Sequence, residues 1–292
     1  DVEECAGNQV DEAVIGTVEV VSRHVHDETE TIDAMAAQAA GDALRQADVG
    51  PGDVDLLVLG NWSERQFIPE IAPQVALRLG AVNALAFDVC GACTGFVHGT
   101  QIAASLLSAH HDWDTAVVVC SEHFSSRVRP GSKGELIVGD AAGAVVLRKG
   151  LDEPRGLIDS LLISDGESAG ATGVLPPRGW IKSRPDLVGL GIKSHVETCR
   201  TLLERNGLTT DDIDWFVPHP GTTPMHEGVR DALGIAPEKF VTNFTVRANT
   251  GSASIPIVLS EYRDNGTFSP GDLVLASAVG SGWYYGGLLV RL

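Results

Sequence analysis

The sequence is poor in basic residues. Lys and Arg total 21 against 39 Asp and Glu, for a formal net charge of −18. Nucleic-acid binding rests on counterion release at a basic face, so this balance argues against that class. Aromatic residues are scarce at 5%, and no apolar run reaches the roughly 18 to 20 residues of a membrane span. The five cysteines are an odd number in a chain of this length. They make no disulfide framework and point to a reducing, cytoplasmic setting. No signal-peptide pattern opens the chain. Neither a P-loop nor a GxGxxG stands between a strand and a helix, which removes nucleotide hydrolysis.

What is present suits a large buried core: 292 residues, 43% hydrophobic, with 33 glycines. Strand-like and helix-like periods alternate. Helices are expected over Thr31–Ala47, Pro69–Leu79 and Thr94–Ala109, and strands over Val54–Gly60, Ala84–Val89, Ala116–Cys120 and Ala142–Leu147. The pattern then restarts with strand Gly156–Ile163, helix Leu190–Asn206, strand Ile213–Val217 and helices Pro224–Leu233 and Gly251–Asp264. Strands Leu273–Ala278 and Gly287–Val290 complete it. Such alternation implies a layered α/β fold with buried sheets.

The two halves also match in detail. Asp53-Val-Asp-Leu-Leu-Val parallels Asp212-Ile-Asp-Trp-Phe-Val, and Cys93-Thr-Gly parallels Asn249-Thr-Gly. Asp114-Thr-Ala-Val-Val-Val parallels Asp272-Leu-Val-Leu-Ala-Ser, and Gly143-Ala-Val-Val-Leu-Arg parallels Gly286-Gly-Leu-Leu-Val-Arg. Order and offset make duplication the economical reading, with halves over residues 1–150 and 151–292. Cys93 and Asn249 then sit at equivalent helix N-termini near a central seam.

Cys93 is the first candidate for chemistry. A thiol at a helix N-terminus meets unpaired N–H groups and the positive end of the dipole, so its pKa is expected to fall. Cys90 and Cys93 also make a CxxC, but no second pair or suitably spaced histidine accompanies it, and no metal site is expected. His219 ends an apolar strand in Val-Pro-His-Pro-Gly-Thr-Thr, placed to act on a thioester. The remaining eight histidines are expected mostly on polar or helical faces, in solvated or packing roles. Asn249 offers an amide donor at the position equivalent to the thiol, or an N-cap. The turn Gly280-Ser-Gly-Trp exposes backbone N–H groups, and that of Ser281 could join the Cys93 N–H in an oxyanion hole.

Together these segments resemble the 3-oxoacyl-[acyl-carrier-protein] synthase III group of thiolase-fold condensing enzymes. The resemblance rests on Ala92-Cys-Thr-Gly-Phe, Gly139-Asp-Ala-Ala-Gly-Ala, Val217-Pro-His, Asn249-Thr-Gly-Ser-Ala-Ser-Ile-Pro and Gly280-Ser-Gly-Trp, and it covers nearly the whole chain. It implies a five-layered αβαβα fold from two duplicated half-domains and a catalytic triad of Cys93, His219 and Asn249. Gly221, Thr222, Gly280 and Gly282 become substrate-binding candidates. Phe67 and Ile68 mark where the family lends a side chain to its neighbour's acyl pocket, and a homodimer is implied. No cofactor is implied beyond the phosphopantetheine of a carrier protein or coenzyme A that delivers acyl groups.

The departures bear on substrate. The resemblance implies a glycine-containing strand ahead of Asp1. Ala13 stands where the family has an adenine-stacking tryptophan, and Thr17 where it has a coenzyme A-contacting arginine. Lys133 lies near the other arginine of that clamp. Pro220-Gly-Thr replaces Gln-Ala-Asn, and Pro224 replaces an arginine used for carrier docking. A weakened adenine clamp favours an acyl carrier protein as donor, met by Arg247, Arg230, Lys182 and Arg184, in a specialised polyketide or fatty-acid-like pathway. Three functions stay open: a decarboxylative condensing enzyme, an acyltransferase passing the Cys93-bound acyl group to an alcohol or amine, and a non-catalytic partner subunit. Product mass separates the first two; stoichiometric alkylation of Cys93 counts against the third.

Overall fold

The computed structural model describes residues 18–66, 68–150, 155–174 and 179–292. The first half runs α1 (Ile32–Gln46), β1 (Leu56–Gly60), α2 (Ala72–Leu79), β2 (Leu85–Val89), α3 (Gly95–Ala109), β3 (Thr115–Glu122), α4 (Lys133–Ile137) and β4 (Ala141–Arg148). The second runs β5 (Gly156–Ser164), β6 (Thr172–Val174), β7 (Ile181–Ser183), α5 (Leu187–Arg205), β8 (Trp215–Pro218) and α6 (Thr223–Leu233). It continues with α7 (Phe244–Arg247), α8 (Ser254–Asp264), β9 (Leu273–Gly280) and β10 (Tyr284–Arg291).

Two four-stranded sheets form, ordered β2-β1-β3-β4 and β5-β10-β9-β8. β1 and β3 are parallel and β4 runs antiparallel to β3; β8, β9 and β10 repeat that pattern. A local detail repeats too. The Asp55 carboxylate accepts from the Asp114 and Thr115 N–H groups at 2.8 and 3.0 Å, and Asp214 accepts from the Leu273 N–H at 2.7 Å. The paired Asp-Leu and Asp-Trp motifs therefore pin neighbouring strands in the same way in both halves.

Strands buried on both faces read as continuous apolar runs, and their alternation sorts side chains into layers. Leu56 and Val58 of β1 join Phe96 and Val97 of α3, Ile255 and Val258 of α8, and Ala276 and Leu288 of the second sheet in one central core. Leu57 and Leu59 point the other way, onto Ile32, Ala36, Ala40 and Leu44 of α1 and onto α2. The outer face of the second sheet, with Phe216, Leu275 and Leu289, is covered by Cys199, Leu202 and Leu203 of α5 and by Val229 and Leu233 of α6. The result is five layers, with α3 and α8 in the middle.

Two expected helices begin later than their apolar patterns do. α2 starts at Ala72 because the Asp88 carboxylate accepts from the Ile71 and Ala72 N–H groups at 3.2 and 2.7 Å, capping the helix there. Gly251–Ala253 tightens into a 3₁₀ turn before α8. α2 and α6 end at Gly80 (φ 84°) and Gly234 (φ 67°), left-handed caps that glycine adopts without strain. The β6–β7 hairpin, α4 and α7 are too short to show a period.

Candidate active site

Cys93 sits in a 3₁₀ turn, Ala92–Thr94, that leads into α3. Ala92, just before it, has φ 46°, a left-handed conformation costly for a residue with a Cβ. The turn packs on Gly251–Ala253 and on the end of β9. A Cβ at Gly280 would lie 3.0 Å from the Cys93 nitrogen and 3.1 Å from that of Thr94, so only glycine lets β9 close on the turn. The thiol is not the depressed one its helix end leads one to expect. Burial, aided by the negative charge of Glu122, pushes the Cys93 thiol up to about 12. Desolvation disfavours thiolate more strongly than the helix terminus favours it.

His219 follows β8 and is 2% exposed. Its N–H donates to the Ser277 carbonyl at 2.7 Å, and its Nδ1 lies 3.3 Å from Ser254 Oγ. Burial lowers its pKa to about 4, against a backbone hydrogen bond to Gly251, so the ring is neutral near pH 7. Asn249 is held at both ends of its amide: Nδ2 donates to the Gly221 carbonyl at 3.1 Å, and Oδ1 accepts from the Gly251 N–H at 2.9 Å. One amide N–H is therefore left to donate elsewhere. Ala248 precedes it at φ 59°, ψ −162°, which matches the strained alanine before Cys93. His219 and Asn249 both bond to the Gly251–Ser254 turn, and the turn that carries Cys93 packs on it.

The models of the family 3-Oxoacyl-[acyl-carrier-protein (ACP)] synthase III match residues 87–166, and its C-terminal portion matches residues 203–292. A beta-ketoacyl-[acyl-carrier-protein] synthase III of Anaplasma marginale is 33% identical, over 97% of this chain and 91% of its own. The chain belongs to the ketoacyl synthase III family. The crystal structure of the Aquifex aeolicus 3-oxoacyl-[acyl-carrier-protein] synthase III superposes with a TM-score of 0.92 at 29% identity, covering 100% of this chain and 94% of that one. The priming beta-ketosynthase from the R1128 polyketide biosynthetic pathway superposes at 0.90 and 26% identity, covering 99% and 91%. The fold is thiolase-like and the enzyme is an acyltransferase of the condensing type.

The remaining sequence candidates fall unevenly. Gly221 has φ 55°, and a Cβ there would meet Met225 Sδ at 2.7 Å. The Thr222 hydroxyl beside it is buried without a partner among the described residues. Gly282 has φ 104° in the turn between β9 and β10. Ser281 Oγ donates to the Thr172 carbonyl, which ties the β6–β7 hairpin to the turn. Ile68 is 88% exposed; Phe67, Ala13 and Thr17 lie outside the described residues. Of the four basic candidates, Arg184, Arg230 and Arg247 are paired with Asp186, Asp231 and Glu261, while Lys182 is exposed on β7.

Two features escaped sequence reasoning. Glu122, at the end of β3, is wholly buried, and burial raises its pKa to about 7. One oxygen accepts from Ser63 Oγ at 2.6 Å and from the Ser63 N–H at 3.1 Å, while Ser252 Oγ donates to the other. It cross-links the segment after β1 to the turn that carries the site. A glutamate amid apolar strand residues, Val-Val-Cys-Ser-Glu, was the available signal. The second is which of the other histidines are packed rather than solvated: His123, His195 and His226 are buried. His195 packs behind the site, its Nδ1 2.8 Å from Ser277 Oγ.

Proposed function

We propose that this enzyme condenses an acyl group held on Cys93 with a malonyl-type thioester on a carrier protein. What supports the reading is that His219 and Asn249 bond to the turn on which the Cys93 turn packs, with Gly280 against the Cys93 backbone. Cys93 enters as a thiol and loses its proton as its sulfur bonds to the acyl carbon. The neutral His219 ring has a bare nitrogen to take that proton, which then goes to the departing tether thiol. The N–H groups of Cys93 and Ser281 hold the tetrahedral oxyanion.

In the second half the extender loses CO₂, and the electron pair moves onto its thioester oxygen as an enolate. The free Asn249 amide N–H donates to that oxygen, joined by the His219 Nε2–H in the neutral tautomer whose Nδ1 accepts from Ser254 Oγ. The enolate carbon then attacks the acyl-cysteine; a C–C bond forms, the C–S bond breaks, and Cys93 regains a proton. Pinning of Asn249 by Gly221 and Gly251 favours this reading over acyl transfer to an alcohol or amine, which has no use for an enolate donor.

Further parts of the reading rest on resemblance. We take the halves to meet at residues 150 and 151, between β4 and β5. A homodimer is favoured by β2, the edge strand of the first sheet, where Leu85 is 50% exposed. Likeness to a polyketide priming synthase supports a specialised pathway. Intact-protein mass spectrometry with acyl-carrier and acyl-coenzyme A donors, followed by a malonyl thioester, tests the scheme. An acyl adduct on Cys93, CO₂ release and a 3-oxoacyl product are expected. An ester or amide product instead would establish transfer.

A further inference from the structure

One polar group at the wall of the site is not used by this chemistry. Trp62 follows β1, and its backbone N–H donates to Glu122 at 3.3 Å. Its ring stands edge-on to Phe124, with centroids 4.8 Å apart at 82°, and packs in the cluster of Phe124, Val128, Val138 and Ile181. The indole Nε1 is buried and has no hydrogen-bond acceptor among the described residues. A buried N–H without an acceptor is destabilising, and an apolar side chain of similar shape would avoid that cost.

The nitrogen is also placed with little freedom. A Cβ on Gly251 would lie 3.1 Å from it and 3.3 Å from Glu122 Cγ, so the glycine at φ 62° is what admits the indole. Gly251 is the residue that hydrogen-bonds the Asn249 amide, and its turn packs on that of Cys93. Val138, in the same apolar cluster as the indole, bridges to Asn249. The indole nitrogen thus stands against the turn that bonds Asn249 and on which the Cys93 turn packs.

We propose that the Trp62 indole N–H donates to an oxygen on the acyl group carried by Cys93, selecting short hydroxy- or oxo-acyl chains over their hydrocarbon isosteres. The proposal rests on acylation of Cys93 as read above. Its test compares 3-hydroxybutyryl, acetoacetyl and butyryl pantetheine thioesters, with adduct formation on the whole protein followed by mass spectrometry. The wild-type enzyme is expected to acylate from at least one of the oxygenated donors about tenfold faster than from butyryl, the value of one net hydrogen bond.

Trp62→Phe keeps the bulk and removes the donor. It should bring the oxygenated and butyryl rates to within about twofold of each other, and Trp62→Ala should admit longer chains such as octanoyl. Equal wild-type rates for all three donors would overturn the proposal even if neither variant folds, as would a preference that persists in Trp62→Phe. An absence of any adduct on Cys93 from any donor would instead remove the underlying reading.

Discussion

The turn that carries Cys93 and the turn that carries Asn249 are built alike. Each follows a strained alanine, Ala92 at φ 46° or Ala248 at φ 59°, and each passes through a 3₁₀ turn into a helix of the middle layer. Their surroundings differ. The first turn is enclosed, and burial first, with the Glu122 carboxyl second, holds the thiol in its protonated form. The second binds Asn249 at both amide ends beside a histidine that burial keeps neutral. The two turns repeat one backbone scaffold; on the proposed function, their neighbours make one the seat of the nucleophile and the other that of the donor.

The largest expected effect separates the two turns directly. Cys93→Ala should abolish condensation, by at least about 10⁴-fold in kcat, because no other group can carry the acyl chain. Asn249→Ala and His219→Ala should each lower condensation about 10²- to 10³-fold, as loss of one enolate donor does. Asn249→Ala should leave acylation of Cys93 nearly intact. Equal loss of both half-reactions in Asn249→Ala would erase the division of labour between the turns.

Acid should strain the two halves in opposite senses. His219 and His226 titrate at about 4 and His195 at about 3, all below the ordinary 6.5 because of burial, and all lie in the second half. Between pH 6.5 and about 4 the unfolded chain binds more protons at these sites, so stability falls as pH drops. Glu122, raised to about 7, works the other way: its protonated form is favoured in the fold, and stability is lost as pH rises through that value. Denaturant midpoints should therefore fall toward pH 4, and Glu122→Gln should steepen that fall, because it removes the carboxyl that offsets it between pH 7 and 4.5.

Smaller effects probe the backbone and the thiol. Ala248→Gly should raise stability by about 1 kcal/mol by relieving a conformation suited to glycine, net of the entropy glycine adds to the unfolded chain. A lower denaturant midpoint would mean that Ala248 is not strained. Glu122→Gln should speed iodoacetamide alkylation of Cys93 a few-fold at pH 8, since it removes a charge but not the burial. An unchanged rate would show that the carboxyl does not act on the sulfur.

Much of this arrangement was legible in residue order. The apolar strand runs, the Asp-led motifs and the Cys-Thr-Gly and Asn-Thr-Gly turns announced paired sheets and their central helices, since periodicity and spacing are local properties. The thiol's acidity was misjudged because a helix end is visible in sequence while its enclosure is not. Arg184, Arg230 and Arg247 suggested a basic patch because Asp186, Asp231 and Glu261 were not yet known to sit against them. Asp186 and Asp231 lie close in sequence, but only side-chain direction shows the pairing.

The order of residues alone determined which chemical groups the molecule has, and that a cysteine, a histidine and an amide stand at the ends of buried elements in two matched halves. It did so because side-chain pattern dictates strand and helix, and those dictate layers. The protonation state of the sulfur, the committed ends of the Asn249 amide and the approach of Trp62 to Gly251 were decided only when segments from opposite halves met. Those properties depend on distance and on exclusion of water, which no stretch of chain possesses by itself.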